Sequence, residues 1–120
     1  MDRKTSIHEL KEKIKNFCTE RDWDKHHNAK DLAICVITEA SELLEHFRFK
    51  TEKEAEIMLN DPEKRREISE EMSDVLYCIL RLAGRYDIDM ATEFEKKMKK
   101  NAEKYPANKI RVISEKGDGN

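Results

Sequence analysis

The chain predicts an all-α fold: a four-helix bundle with one short extra helix and a flexible C-terminal tail. Three observations carry that prediction. Charged residues make up 42% of the 120 residues, far above the ~25% of an average soluble protein, and they suit long helices with wet outer faces. Only three glycines and two prolines are present, too few to turn the many short strands of a sandwich or barrel. Apolar residues recur at helical spacing between recognisable capping signals.

Each element has its own punctuation. Ser6 and Glu9 form a capping box, and Ile7, Leu10, Ile14 and Phe17 follow on one face, so a first helix runs from Ile7 to about Arg21. The segment "DWDKHHN" is a polar connector, and Asn28 caps a second helix that reaches about Phe49. Thr51 with Glu54 is another capping box, opening a short helix over "EKEAEIML". Asp61 followed by Pro62 starts a long helix to about Tyr86. Asp89 caps a last helix through Tyr105, which Pro106 closes. Residues 1–106 then form a single helical domain, and the polar, glycine-containing segment 107–120 is expected to be flexible.

Bulk charge narrows the function. The net charge is −2, so no basic field invites nucleic acid or an anionic membrane. The longest strongly apolar run, "LAICVI", is far short of the ~20 residues needed to span a bilayer. No apolar signal core follows Met1. Three cysteines (Cys18, Cys35, Cys78) are odd in number and lack metal-type spacing, and they read as reduced thiols of a cytoplasmic protein.

The chemistry lies in two stretches, "TEASELLEHF" and "EISEEMSDVLY", each with acids three residues apart. At 100° per residue, with Leu32 at zero, Val36, Ala40, Leu43 and Phe47 fall between about +20° and +80°. Glu39 lies at about −20°, on the edge of that stripe, and Glu42 at about −80°, whereas Glu45 points to solvent. On the long helix, with Ile68 at zero, Val75, Ile79 and Leu82 stay within about 40°. Glu71 lies at about −60° and Asp74 at about −120°, and Glu70 points almost directly away. If the two helices pack antiparallel, four carboxylates converge beside the core. Like charges that close force protonation or opening unless a cation sits among them. Mg²⁺ suits all-oxygen ligands and keeps waters that a phosphate can displace; Mn²⁺ is able to substitute. One such pair on so charged a chain is usually a solvated face. Two pairs, both at stripe edges, favour the metal.

On the last helix Phe94, Met98 and Tyr105 line the predicted core face. Asn101 lies between them, and Lys97 and Lys104 flank it. That trio suits phosphate oxygens. The plain alternative is a buried amide bonded to nearby backbone, with its lysines extended outward.

These residues carry a close family resemblance. Glu39-x-x-Glu42 followed by Glu71-x-x-Asp74 resembles the metal signature of the MazG-like, all-α nucleoside triphosphate pyrophosphohydrolases. "ERDWDKHHNAKDL" and "KMKKNAEKYP" are similar to segments of the dCTP pyrophosphatase branch, so the likeness runs from about Ile14 to Pro106. The resemblance implies hydrolysis of an NTP or dNTP between its α and β phosphates, giving a monophosphate and pyrophosphate. Glu39, Glu42, Glu71 and Asp74 would be both metal ligands and catalytic residues. Lys97, Asn101 and Lys104 would serve the phosphates, and Trp23, with the loop through His27, would line the base pocket. The chain departs from that branch in three places. Phe49 stands where some relatives have a second tryptophan, Cys78 where they have tyrosine, and Ile14 where one has a base-contacting histidine. Stacking survives a change from Trp to Phe, but base identity does not carry over.

Rival readings are weaker. A di-iron carboxylate bundle needs Glu-x-x-His on two helices, and the chain contains none. A non-enzymatic interaction protein would tolerate alanine at all four acids. Relatives acting on dUTP or phosphoribosyl-ATP stay open. Finally, the second helix is apolar over a wide arc through Ala33, Ile37 and Leu44, and the long helix through Tyr77 and Leu80. More apolar surface than one small core can cover predicts a homodimer or homotetramer, with Tyr77 and Leu80 near an interface.

Overall fold

The computed structural model describes residues 1–108. All-α is the observed class: five α-helices and one 3₁₀ turn, with no strand among the described residues. The helices are α1 (Ile7–Glu20), α2 (Ala29–Phe47), α3 (Glu52–Asn60), α4 (Pro62–Arg85) and α5 (Met90–Lys104), and the 3₁₀ turn is Asp24–His26. The chain divides into two compact units, Met1–Asp87 and a second from Ile88 onward. The expected flexible tail lies, beyond residue 108, outside the described residues.

Local chemistry sets the boundaries. The Glu9 N–H donates to Ser6 Oγ at 3.0 Å, and the Ser6 N–H donates to Glu9 Oε1 at 3.4 Å. The same reciprocal pair joins Thr51 and Glu54, at 3.1 and 3.0 Å. Asn28 accepts from the Asp31 N–H at 2.8 Å, Asp61 from that of Lys64 at 3.0 Å, and Asp89 from that of Thr92 at 2.9 Å. Each cap contributes about 1 kcal/mol. The other ends are less usual. Asp22, Phe49 and Asp87 have φ of 55°, 64° and 52°, and each lies two residues past the end of α1, α2 or α4. Glycine is the favoured residue there, and the chain has none before Gly84.

Within the first unit α2 and α4 run antiparallel. Cys35 meets Cys78 at one level and His46 meets Glu71 at another. The Cys35 and Cys78 sulfurs are joined in a disulfide across this pair. The expectation of three reduced thiols is therefore corrected. Helix packing brings two cysteines 43 residues apart to a Cα separation of 6.0 Å, within bonding range, and Cys18 alone is free and buried. The thiol argument for a cytoplasmic location goes with it. No helix among the described residues is long and apolar enough to cross a membrane.

The interior is thin. Its buried members are Cys18, Leu32, Ile68, Cys78, Leu80, Ala83 and the charged Arg81. The expected interface role of Tyr77 and Leu80 is corrected here. Leu80 is 3% exposed within the chain itself, and Tyr77 is half-buried under Phe17 of α1. The uncovered apolar surface is instead at Ile37 and Leu44 of α2 and at Met72 and Leu76 of α4. Phe94, Met98 and Tyr105, on the expected core face of α5, are at least half exposed.

Candidate active site

The antiparallel pair of α2 and α4 brings the acids of two distant motifs together. Glu39, Glu42 and Glu71 each offer a carboxylate oxygen within 4.8 Å of the others. Glu39 and Glu71 are half-buried, and Glu42 and Asp74 are exposed. Asp74 stands outside the tightest group but close enough to act on Glu39 through its charge. The two acids that the wheel turned to solvent lie outside the group. Glu45 instead pairs with Arg48 at 3.0 Å, and Glu70 pairs with Arg66 at 2.8 Å, both on the surface.

The electrostatics of the group are unfavourable as it stands. Burial raises the Glu39 carboxyl above its ordinary range, and the neighbouring Glu42, Asp74 and Glu71 charges push the same way. Glu39 Oε2 and Glu71 Oε2 are buried without a hydrogen-bond partner. A buried acceptor left unmade costs about 1–3 kcal/mol. Two such atoms on facing helices, in an all-oxygen group, fit a hard divalent cation such as Mg²⁺, which needs carboxylate ligands and no sulfur or imidazole.

His46 adds a neighbour that the sequence reading missed. Its Nε2 lies 3.5 Å from Glu71 Oε1, with both side chains about four-fifths covered. The signal was available, since on the wheel anchored at Leu32 His46 falls at about −40°, between Glu39 and Glu42.

At the other end of the same helix pair stands an aromatic and cationic group. Phe17 packs edge-on to Trp23 at 5.5 Å and to Tyr77 at 6.3 Å, and Trp23 lies 6.2 Å from the His27 ring. The Tyr77 hydroxyl meets Cys18 Sγ at 3.2 Å. Burial and that contact raise the phenol to about 12. Trp23 keeps 40% of its surface exposed. Beneath it, Arg81 donates from Nε to His27 Nδ1 at 2.8 Å and from Nη2 to Asp24 Oδ1. Arg85 Nε donates to the His27 carbonyl at 3.3 Å. The guanidinium holds Asp24 below the usual carboxylate range. Arg81 escaped the sequence reading too; its only sign was a charge inside the apolar run "VLYCILRLAG".

Arg81 is seven residues from Asp74 on α4. At 1.5 Å per residue that is a rise of about 10 Å, with a net rotation of only about −20°. The acids and the group around His27 therefore share one side of α4, about two turns apart. Asp24, Arg81 and Ile14 also line a polar cleft of about 270 Å³.

The remaining predicted residues are Phe49 and three of α5. Phe49 is 90% exposed, and the Arg48 guanidinium lies 4.7 Å from its ring centre. On α5, in the second unit, Asn101 is half-buried, with the exposed Lys97 and Lys104 one turn away on either side. Lys104 Nζ lies 5.3 Å from the Tyr105 ring centre.

Comparison with known proteins identifies the family. Residues 34–118 match the model of the MazG-like family. The human protein dCTP pyrophosphatase 1 is 36% identical over 100 residues, covering 83% of this chain and 59% of the relative. Its rat counterpart is 34% identical over 92 residues, covering 77% and 54%. The chain thus spans a little over half the length of these curated relatives. The crystal structure of a pyrophosphatase from Archaeoglobus fulgidus is 34% identical and superposes with a TM-score of 0.77, covering 83% of this chain and 92% of that one. With both acid pairs inside the matched segment and the helical frame shared, the chain belongs to the MazG-like family.

Proposed function

We propose that the protein is a Mg²⁺-dependent nucleoside triphosphate pyrophosphohydrolase that converts an NTP or dNTP and water into the monophosphate and pyrophosphate. The reading takes residues 1–106 as one working domain, and dCTP-like or modified pyrimidine nucleotides as the favoured substrates in nucleotide-pool cleansing. One observation carries it: two buried, unpartnered carboxylate oxygens, Glu39 Oε2 and Glu71 Oε2, stand on facing helices of a MazG-like chain.

Glu39, Glu42, Glu71 and Asp74 would hold the metal, which would supply charge neutralisation for the triphosphate and polarisation of the attacked phosphorus. The exposed carboxylates of Glu42 and Asp74 orient the attacking water and accept its proton. Lys97, Asn101 and Lys104 bind phosphate oxygens. No covalent nucleophile is required, since phosphoryl chemistry of this kind rests on positioning and charge.

Trp23 stacks on the base, supported by its exposure and by Phe17 behind it. The rise of about 10 Å between Asp74 and Arg81 suits a nucleotide whose phosphates and base lie at opposite ends. Phe49 is a second aromatic contact. A bulky side chain at φ 64° that is 90% exposed has only the Arg48 guanidinium against it in the isolated chain.

The working unit in this proposal is a homodimer or homotetramer. Ile37, Leu44, Met72 and Leu76 remain roughly half to two-thirds exposed, beside an apolar groove of about 520 Å³ between α2 and α4. A panel of NTPs and dNTPs read by pyrophosphate release tests the reaction. Pyrophosphate is expected with Mg²⁺ and none in excess EDTA. Stepwise release of orthophosphate, or full activity in EDTA, refutes the proposal.

A further inference from the structure

Arg81 is a charged side chain with 3% exposure, and the acid cluster makes no use of it. Its fork is turned to the connector between α1 and α2, meeting Asp24 and His27. A lysine has no such fork and could not serve both partners in this geometry. An arginine side chain only donates, so His27 Nδ1 must accept and carries no proton. A neutral imidazole has one N–H, and here it can only be on Nε2. Burial and the Arg81 charge both hold the His27 imidazole below its ordinary range, in keeping with a neutral ring. Arg85 fixes the His27 backbone from the next turn of α4. The whole loop beside the exposed Trp23 is thus held from α4.

We infer that Arg81 is a positioning residue for base recognition: by holding His27 as its Nε2–H tautomer, it makes that ring a neutral hydrogen-bond donor beside Trp23. Such a donor suits a base that turns an acceptor toward it, a ring carbonyl or an imine nitrogen, and disfavours one that turns an amino group. The inference rests on the proposed nucleotide reading, in which Trp23 marks the base side.

The test observes the His27 ring nitrogens by NMR in ¹⁵N-labelled full-length protein, with Mg²⁺ and a non-hydrolysable α,β-imido dCTP. Abasic deoxyribose 5′-triphosphate serves as the control. Nδ1 is expected without a proton, and the Nε2–H signal is expected to move with the nucleotide but not with the abasic compound. Arg81→Gln should raise KM for a nucleotide roughly five- to tenfold with little change in kcat, the effect of one lost hydrogen bond, and leave the abasic triphosphate unaffected. Should that variant fold poorly, His27 supplies the same evidence. His27→Gln, whose amide N–H replaces Nε2–H, should keep KM within about threefold, and His27→Leu should raise it five- to tenfold. A protonated Nδ1, or an Nε2–H that stays still while Trp23 fluorescence responds, overturns the inference. So does an Arg81→Gln protein that melts earlier with an unchanged KM. If neither Trp23 nor His27 responds and no pyrophosphate forms, the functional reading has failed and this inference falls with it. Pyrophosphate release with a silent His27 removes this inference alone.

Discussion

Glu71 sends its two carboxylate oxygens to different surroundings: Oε1 lies 3.5 Å from His46 Nε2, and Oε2 is buried without a partner. In the proposed metal site, that contact would orient the carboxylate and leave its other oxygen for the cation. Groups that orient a metal ligand in this way typically contribute 10–100-fold in affinity. His46→Ala should therefore raise the Mg²⁺ concentration for half-maximal activity about tenfold, with much smaller loss at saturating Mg²⁺. Magnesium titration of pyrophosphate release decides it, and an unchanged midpoint makes His46 a bystander.

Alanine at Glu39, Glu42, Glu71 or Asp74 should remove at least about 99% of turnover while the helical circular dichroism persists. Glu45→Ala and Glu70→Ala should stay within about twofold, because each loses only a surface ion pair. In EDTA, Glu39→Gln should melt a few degrees above the parent chain, since it relieves repulsion among the buried acids. Equal melting temperatures would show that the carboxylates do not strain the metal-free fold.

The pH response of stability should carry a His27 component. Its folded pKa is lowered below the ordinary 6.5, first by burial and then by the Arg81 charge. Above that value both states are neutral and the contribution is complete. As pH falls below it, the unfolded chain takes up a proton that the folded chain resists, so stability declines. The urea midpoint should drop between pH 7.5 and 5.5, and the drop should shrink in His27→Gln. An identical drop in the variant would assign the effect to other groups.

Cysteine chemistry gives a direct count. Alkylation in denaturant without reductant should label Cys18 alone, and labelling after reduction should reach all three cysteines. Three labels without reductant would mean that Cys35 and Cys78 only lie side by side.

The uncovered face of α2 and α4 should be where copies meet. Light scattering at micromolar concentration is expected to give at least twice the 14.2 kDa of one chain. Met72→Glu and Leu76→Glu should shift the mass toward the single chain, because a charge there would be buried in the contact. A parent chain that is monomeric and fully active contradicts the proposal.

Much of this was legible in the sequence because capping is local. Ser6, Asn28, Thr51, Asp61 and Asp89 all cap the helices they announce, and each helix ends within two residues of its expected limit. The choice of Glu71 over Glu70 was equally legible, since a rotation of 100° separates neighbours on a helix. His46 lies on the same arc of that wheel, but an imidazole is not one of the oxygen ligands that mark an Mg²⁺ site, so the acid pattern does not single it out. Arg81 with its partners Asp24 and His27, and the bond between Cys35 and Cys78, were not legible. They join residues 43 to 57 positions apart, and only tertiary packing decides which side chains on two helices share a level.

Phe49 has a consequence of another kind. A large side chain in the left-handed region costs about 1–2 kcal/mol, and neither burial nor any contact but Arg48 offsets that cost. Glycine would satisfy the turn better. Under the proposal that Phe49 meets the substrate, the requirements of folding and of use pull in opposite directions at a single residue. A library selected only for thermal endurance should drift toward glycine at position 49, whereas one selected for turnover should keep an aromatic ring. Comparing the two outcomes would separate what this turn owes to architecture from what it owes to chemistry.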